Sequence, residues 1–149
     1  GHLVLSTLHT NDTTSSYSSL LDMGIDPFLI TSTLRAIIAQ RLIRRICSVC
    51  KTPRSVNDYE QEKLGFKSGD TVFQASEKGC QNCGGKGGRT GLYELLIPTL
   101  KLNEMVNNRL SDHEIRNQAK LDGLLTIKAE SRRLALEGIT SIEEITRVL

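Results

Sequence analysis

Cys47-Ser48-Val49-Cys50 and Cys80-Gln81-Asn82-Cys83 are two Cys-x-x-Cys pairs, and they hold all four cysteines of the 149-residue chain. Two residues between thiols let both sulfurs of a pair point at one centre without straining the backbone. Two such knuckles facing each other supply the four thiolates of a tetrahedral Zn²⁺ site. The pairs therefore mark out a self-contained metal module, residues 47–89, inside a longer chain, with Cys47, Cys50, Cys80 and Cys83 as its ligands. Disulfides within each pair would suit a secreted protein, and a redox-active pair would suit a thioredoxin-like fold. Two pairs with no leader ahead of them favour a reducing cytosol and a structural metal.

Between the pairs, Lys51 to Lys78 is polar, punctuated by Pro53, Gly65 and Gly69, and short of apolar residues for its length. It is expected to be held by metal rather than by a core. After Cys83, Gly84-Gly85-Lys86-Gly87-Gly88 reads as a flexible connector to a short strand, Thr90 to Ile97. It is not a phosphate loop, because Lys86 follows a metal knuckle, no Ser or Thr comes next, and a strand rather than a helix follows.

Upstream of the pairs, His2 to His9 reads as a buried strand with Leu3, Leu5, Thr7 and His9 on one face. Thr10 to Thr13 supplies a polar turn and N-caps for a helix carrying Tyr17, Leu20 and Leu21 and ended by Gly24. Asp26-Pro27 restarts the chain as an N-cap with proline in the first turn. From Phe28 to Ile46 helical spacing and alternation overlap, so periodicity leaves the helix-to-strand break open. Downstream, Lys101 to Arg109, the stretch opened by a Ser111/Glu114 capping box and closed by Gly123, Thr126 to Glu137, and the stretch opened by Ser141 and Glu144 read as a small bundle of short helices.

Composition describes a globular chain, with 38% hydrophobic and 24% charged residues. A net charge of +2 is too small to argue for nucleic acid, and with no Trp and few other aromatics the chain lacks stacking platforms for single strands. No apolar run reaches the roughly 18 residues of a membrane span. The start, Gly1-His2-Leu3, has no initiating Met and falls in an apolar run, which is expected of a piece of a larger protein.

Two sets of residues invite chemistry. His9-Thr10-Asn11 falls at the C-terminal end of a predicted strand, the edge where ligands bind in open α/β sheets. There the three side chains would orient a water or read a terminal phosphate; alternatively, Asn11 or Thr13 merely caps the helix and His9 is a satisfied, half-buried histidine. Arg41, Arg44, Arg45, Lys51 and Arg54 flank the first cysteine pair. They would offset the net −2 charge of a Cys₄ zinc centre, or reach a neighbour's nucleotide, or form a solvated face.

The stretch Gly1-His2-Leu3-Val4-Leu5-Ser6-Thr7-Leu8-His9-Thr10-Asn11-Asp12 closely resembles the histidine box of the type II secretion and type IV pilus assembly ATPases. Asp22 to Phe28, Ile38 to Cys47, Gly88 to Leu96 and Glu137 to Glu144 agree with that family in the same order, as does the spacing of the cysteine pairs. The resemblance implies an α/β fold: the C-terminal part of a RecA-like ATPase core with its histidine box (1–46), an inserted tetracysteine zinc module (47–89), and a final core strand with a bundle of short helices (90–149). It also assigns Phe28 to about Leu34 to helix and Ile37 to Ile43 to strand.

The same resemblance implies a homo-hexamer at the cytoplasmic face of the bacterial inner membrane, coupling ATP hydrolysis through a membrane platform to a pseudopilus or pilus. His2 and His9 match the family's two histidines near the terminal phosphate. Thr10 and Asn11 match their supporting neighbours, Arg41 and Arg89 match recurrent arginines, and Cys47, Cys50, Cys80 and Cys83 match the zinc ligands. Two departures stand out. The chain carries no Walker A loop, aspartate box or Walker B acid, so by itself it is expected not to hydrolyse Mg²⁺-ATP. The loop from Cys83 to Arg89 is about two residues shorter than the family form.

Two other classes fit parts of the sequence. A zinc-ribbon nucleic-acid binder would need a basic face, but Asp58, Glu60, Glu62, Asp70 and Glu77 lie in the insert. A co-chaperone-like module would explain Cys80-Gln81-Asn82-Cys83-Gly84-Gly85-Lys86-Gly87, but Lys51-Thr52-Pro53 after Cys50 breaks that repeat. Neither accounts for the histidine box.

Overall fold

The computed structural model describes residues 2–76, 78–81, 83 and 86–149. Gly1 of the histidine-box stretch, Glu77 in the insert, Asn82, and Gly84 and Gly85 of the glycine run lie outside the described residues. The chain is mixed α/β. Helices α1 (Ser15–Asp22) and α2 (Pro27–Thr33) lead into strand β1 (Ile37–Ile46). Then come β2 (Thr52–Ser55), α3 (Asp58–Leu64), β3 (Thr71–Gln74) and β4 (Lys86–Leu96), followed by α4 (Leu100–Asn107), α5 (Asp112–Leu121), α6 (Ile127–Leu136) and α7 (Ile142–Val148). β1 pairs with β4, and β2 pairs antiparallel with β3. Two compact units form. One takes the residues up to Ala39 together with Glu94–Leu125, and the other takes Gln40–Tyr93 with Thr126–Leu149, so that the division falls within β1 and β4.

The first unit is built from α1, α2, α4 and α5, whose ends follow local chemistry. Gly24, at φ 82°, takes the left-handed conformation after α1 that other residues resist. Asp26 accepts a hydrogen bond from the Phe28 amide at 2.8 Å, with Pro27 in the first turn of α2. Thr99 caps α4, and Ser111 and Glu114 form the capping box of α5. The apolar stripes of these helices meet with the end of β4 in a core of Tyr17, Ile30, Leu96, Leu102, Met105, Val106, Ile115 and Ala119.

Residues 2–10 correct the sequence reading. They form no strand, and Leu3, Val4 and Leu5 are 79%, 78% and 89% exposed. The physical reason is pairing: a strand exists through the ladder that satisfies its backbone N–H and C=O groups, and among the described residues no strand is hydrogen-bonded alongside this stretch. The helix-to-strand break, by contrast, falls where the resemblance put it, with α2 ending at Thr33 and β1 starting at Ile37.

The second unit overturns the expectation of an insert without a core. Val56, Leu64, Phe66 and Val72 from the insert pack with Ala135 of α6 and with Ile142 and Ile145 of α7. The insert's apolar residues are few because three of the seven residues of their core come from a segment more than sixty residues downstream, beyond the reach of a local count. α3 carries a capping box between Asn57 and Glu60. The Glu60 carboxylate also receives both Arg54 Nη2 at 2.6 Å and Arg54 Nη1 at 2.9 Å, a bidentate pair tying β2 to α3.

Arg54 holds the Glu60 carboxyl below its ordinary value of 4.5, against the opposing effect of burial. A depressed folded pKa gives stability that is present above the unfolded value and lost as pH falls through the folded one. In urea titrations the deficit of Arg54→Met relative to the parent is therefore expected to be largest at neutral pH and to shrink as pH drops below about 4.5. A deficit constant from pH 7 to pH 3 would count against this pairing.

β4 begins at Lys86, so the later part of the glycine run is strand rather than a flexible connector. Gly87 is there for closeness: a Cβ on it would lie 2.7 Å from the Ile46 carbonyl oxygen. Of the C-terminal helices, α4 and α5 belong to the first unit and α6 and α7 to the second. Among the described residues no helix is long and apolar enough to cross a membrane.

Candidate metal centre and the histidine segment

β1 delivers its last residue, Ile46, directly to Cys47. The Ile46 amide donates to the Ile139 carbonyl at 3.0 Å, and the Thr140 hydroxyl donates to the Arg44 carbonyl at 2.8 Å, so the strand end is fixed before the knuckle begins. The Lys51 amide closes the first knuckle on the Cys47 carbonyl at 3.1 Å, and the Cys83 amide closes the second on the Cys80 carbonyl at 3.1 Å. Lys51 Nζ then donates to the Gly138 carbonyl at 3.0 Å and sits 4.4 Å from the centre of the Phe73 ring.

The four sulfurs all lie within 4.8 Å of one another. Cys47 and Cys80 Sγ are 3.9 Å apart, Cys50 and Cys83 3.6 Å, and Cys80 and Cys83 3.2 Å. None of the four cysteines forms a disulfide, in keeping with these distances, which are far longer than an S–S bond. A tetrahedral zinc with Zn–S bonds of about 2.3 Å has sulfur–sulfur edges of about 3.8 Å, so the donor set fits such an ion. Burial, with the neighbouring thiols, pushes the Cys50 thiol up to about 12. A bound divalent cation would reverse it by taking the sulfurs as thiolates.

The histidines sit differently. His2 and His9 lie on the exposed, irregular stretch, Asn11 is exposed, and Thr10 is half-buried with its hydroxyl 3.0 Å from the Ser16 hydroxyl. Thr10 lines a groove of about 410 Å³ with Leu5, Thr7, Ser16, Leu34 and Ile37. His2 lines a second groove with Arg35. Arg41 lies on β1, its Nη1 3.5 Å from the Gln40 carbonyl. The structure thus gathers the four cysteines into one centre and leaves both histidines on exposed backbone.

Sequence reasoning missed the residues that anchor this backbone. Glu94, fully buried on β4, accepts at Oε1 from the Thr13 amide at 3.0 Å and from the Thr13 hydroxyl at 2.5 Å. Arg116 of α5 reaches Asp12 Oδ2 at 2.6 Å and Glu94 Oε2 at 3.7 Å. Burial alone would raise the Asp12 carboxyl; the Ser15 amide, the Thr14 hydroxyl and Arg116 together hold it below its ordinary value. A signal was available: Leu92, Glu94 and Leu96 share one face of β4, so the alternation places a carboxylate on the buried side of the strand.

The chain matches, over residues 1–147, the family described as type II/IV secretion system protein. It is 39% identical over 150 residues to the type II secretion system protein E of Pseudomonas aeruginosa. It is 37% identical over 156 residues to the type IV pilus assembly ATPase TfpB of Acinetobacter baylyi, and 36% over 150 residues to the type II secretion system ATPase E of Vibrio cholerae. These alignments cover 99%, 100% and 99% of this chain but 30%, 26% and 30% of the relatives, so the chain spans less than a third of their length.

Proposed function

Because the chain belongs to the type II/IV secretion system protein family, we propose that it is the histidine-box and metal-bearing part of an ATPase that powers assembly of a type II secretion pseudopilus or a type IV pilus. The observation that carries this reading is the match along the whole chain to relatives named as secretion and pilus assembly ATPases. In the complete protein, His2 and His9 would stand near the terminal phosphate of Mg²⁺-ATP, with Thr10, Asn11 and Arg41 in support. The phosphate cradle and the magnesium ligands of a RecA-like core would come from elsewhere in that protein.

The metal is Zn²⁺, held by Cys47, Cys50, Cys80 and Cys83 in a structural role, since four sulfurs fill a tetrahedral shell and leave no open position for substrate. The working assembly is a homo-hexamer at the cytoplasmic face of the bacterial inner membrane, acting on platform proteins of the secretion or pilus machinery.

The test is ATP turnover by a protein of the relatives' length that carries this sequence. His9→Ala is expected to lower kcat by at least about tenfold, a loss of the size seen when one group near the developing charge is removed. Turnover unchanged in both His2→Ala and His9→Ala would sink the assignment of the histidines.

A further inference from the structure

We propose that Glu94 and Arg116 are positioning residues for the histidine segment: a buried carboxylate on β4 and a guanidinium on α5 that together hold residues 12–14, three to five residues after His9. The proposal rests on the ATPase reading for its effect on turnover; the clamp itself rests on geometry alone.

A carboxylate with Leu92 and Leu96 as its neighbours on one strand face is costly to bury, and an apolar side chain would fill the position without that cost. What distinguishes the carboxylate is what it grips. One oxygen takes both the amide and the hydroxyl of Thr13, and the other faces Arg116. Arg116 in turn holds Asp12 at 2.6 Å and lies 3.3 Å from the Thr14 hydroxyl. Three consecutive residues, 12, 13 and 14, are therefore held from β4 and α5. Asp12 passes the constraint on through Oδ1, which accepts from the Ser15 amide at 2.9 Å and the Thr14 hydroxyl at 3.0 Å.

His9 stands four residues before Thr13, so its Cα is at most about 14 Å away along the chain. On its other side, residues 2–8 have no regular structure. The placement of His9 is thus set from downstream, where the buried anchor lies, and side chains that are not themselves at the phosphate decide where the histidine points.

The experiment is a double-mutant cycle in the ATPase that carries this chain. Glu94→Gln keeps the shape and removes the charge. It is expected to lower kcat about tenfold while KM for ATP stays within about twofold, and Arg116→Met should do the same. Combined with His9→Ala, Glu94→Gln should cost no more than about a further twofold, because the residue it positions is gone. Full additivity in that background, or a Glu94→Gln kcat within twofold of the parent, would overturn the proposal. Thr13→Val, which keeps the amide bond and loses only the hydroxyl, should give an intermediate kcat and serves where Glu94→Gln folds poorly.

Hydrogen exchange on the 149-residue chain separates the two ideas. Glu94→Gln should speed exchange across residues 10–14 at least tenfold and leave α4 unchanged; unchanged protection there would overturn the clamp whatever the kinetics. If His9→Ala leaves turnover intact, the ATPase assignment of His9 fails, and exchange alone decides whether Glu94 and Arg116 hold the segment.

Discussion

Cys80→Ser is expected to take zinc content from one ion per chain to none while residues 52–74 stay folded. The loss should be complete because three thiolates and a hydroxyl bind zinc far more weakly than four thiolates, and a structural Cys₄ site in small domains is worth on the order of 10 kcal/mol of binding free energy. The insert should nevertheless survive. Val56, Leu64, Phe66 and Val72 are packed on Ala135, Ile142 and Ile145, and Arg54 and Glu60 bridge β2 to α3, and none of the four cysteines is part of either set of contacts. Metal analysis by mass spectrometry reads the first half, and amide exchange at Val72 and Phe73 reads the second. Stoichiometric zinc in the variant would remove Cys80 from the ligand set. Loss of Val72 protection would return the insert to the metal-held state that its composition suggests.

Arg116→Met is expected to destabilise the first unit by about 3 kcal/mol, the low end of what breaking a buried ion pair costs when one charge is left behind. Glu94 is fully buried and would keep the Thr13 donors while losing the Arg116 guanidinium; that guanidinium is itself 28% exposed, which moderates the penalty. Methionine preserves the length of the stem, so little of the change would come from packing. Urea unfolding followed at a probe in α4 or α5 gives the measurement, and a shift below about 0.5 kcal/mol, the scatter of ordinary surface substitutions, would show the pair to be idle.

What was legible in the sequence shares a cause, and so does what was not. Gly24, Asp26-Pro27, Ser111 with Glu114, and Ser141 with Glu144 are local signals, each satisfied within a few residues of itself, and each helix boundary they mark is where it should be. The cysteine spacing is local within each pair, and it led to one centre of four sulfurs. The misreadings all involve partners far away in the chain. His2 to His9 carries apolar residues on both faces as a buried strand does, but that pattern says nothing of a ladder to pair with. Val56 to Val72 look too sparse for a core until α6 and α7 are added. Glu94 looks like one more polar residue in a strand until Thr13 and Arg116 arrive from 81 residues before it and 22 residues after it. For His2, His9, Thr10, Asn11 and Arg41 the case rests on resemblance, because nothing in their local spacing separates a phosphate reader from a helix cap.

The dependence of the insert on α6 and α7 also sets an order of events on the ribosome. Ile145 follows Cys83 by 62 residues, so the hairpin and α3 are synthesised well before the apolar surface that covers them. At roughly 5–20 residues per second, the nascent insert waits about 3–12 s with Phe66 and Val72 uncovered. The four sulfurs, by contrast, are all present as soon as Cys83 has emerged. A metal ion captured then would close the 47–83 loop early and restrain the uncovered hairpin through that interval, giving the cysteine centre its greatest value during birth of the chain, before the finished core makes it redundant for holding the insert.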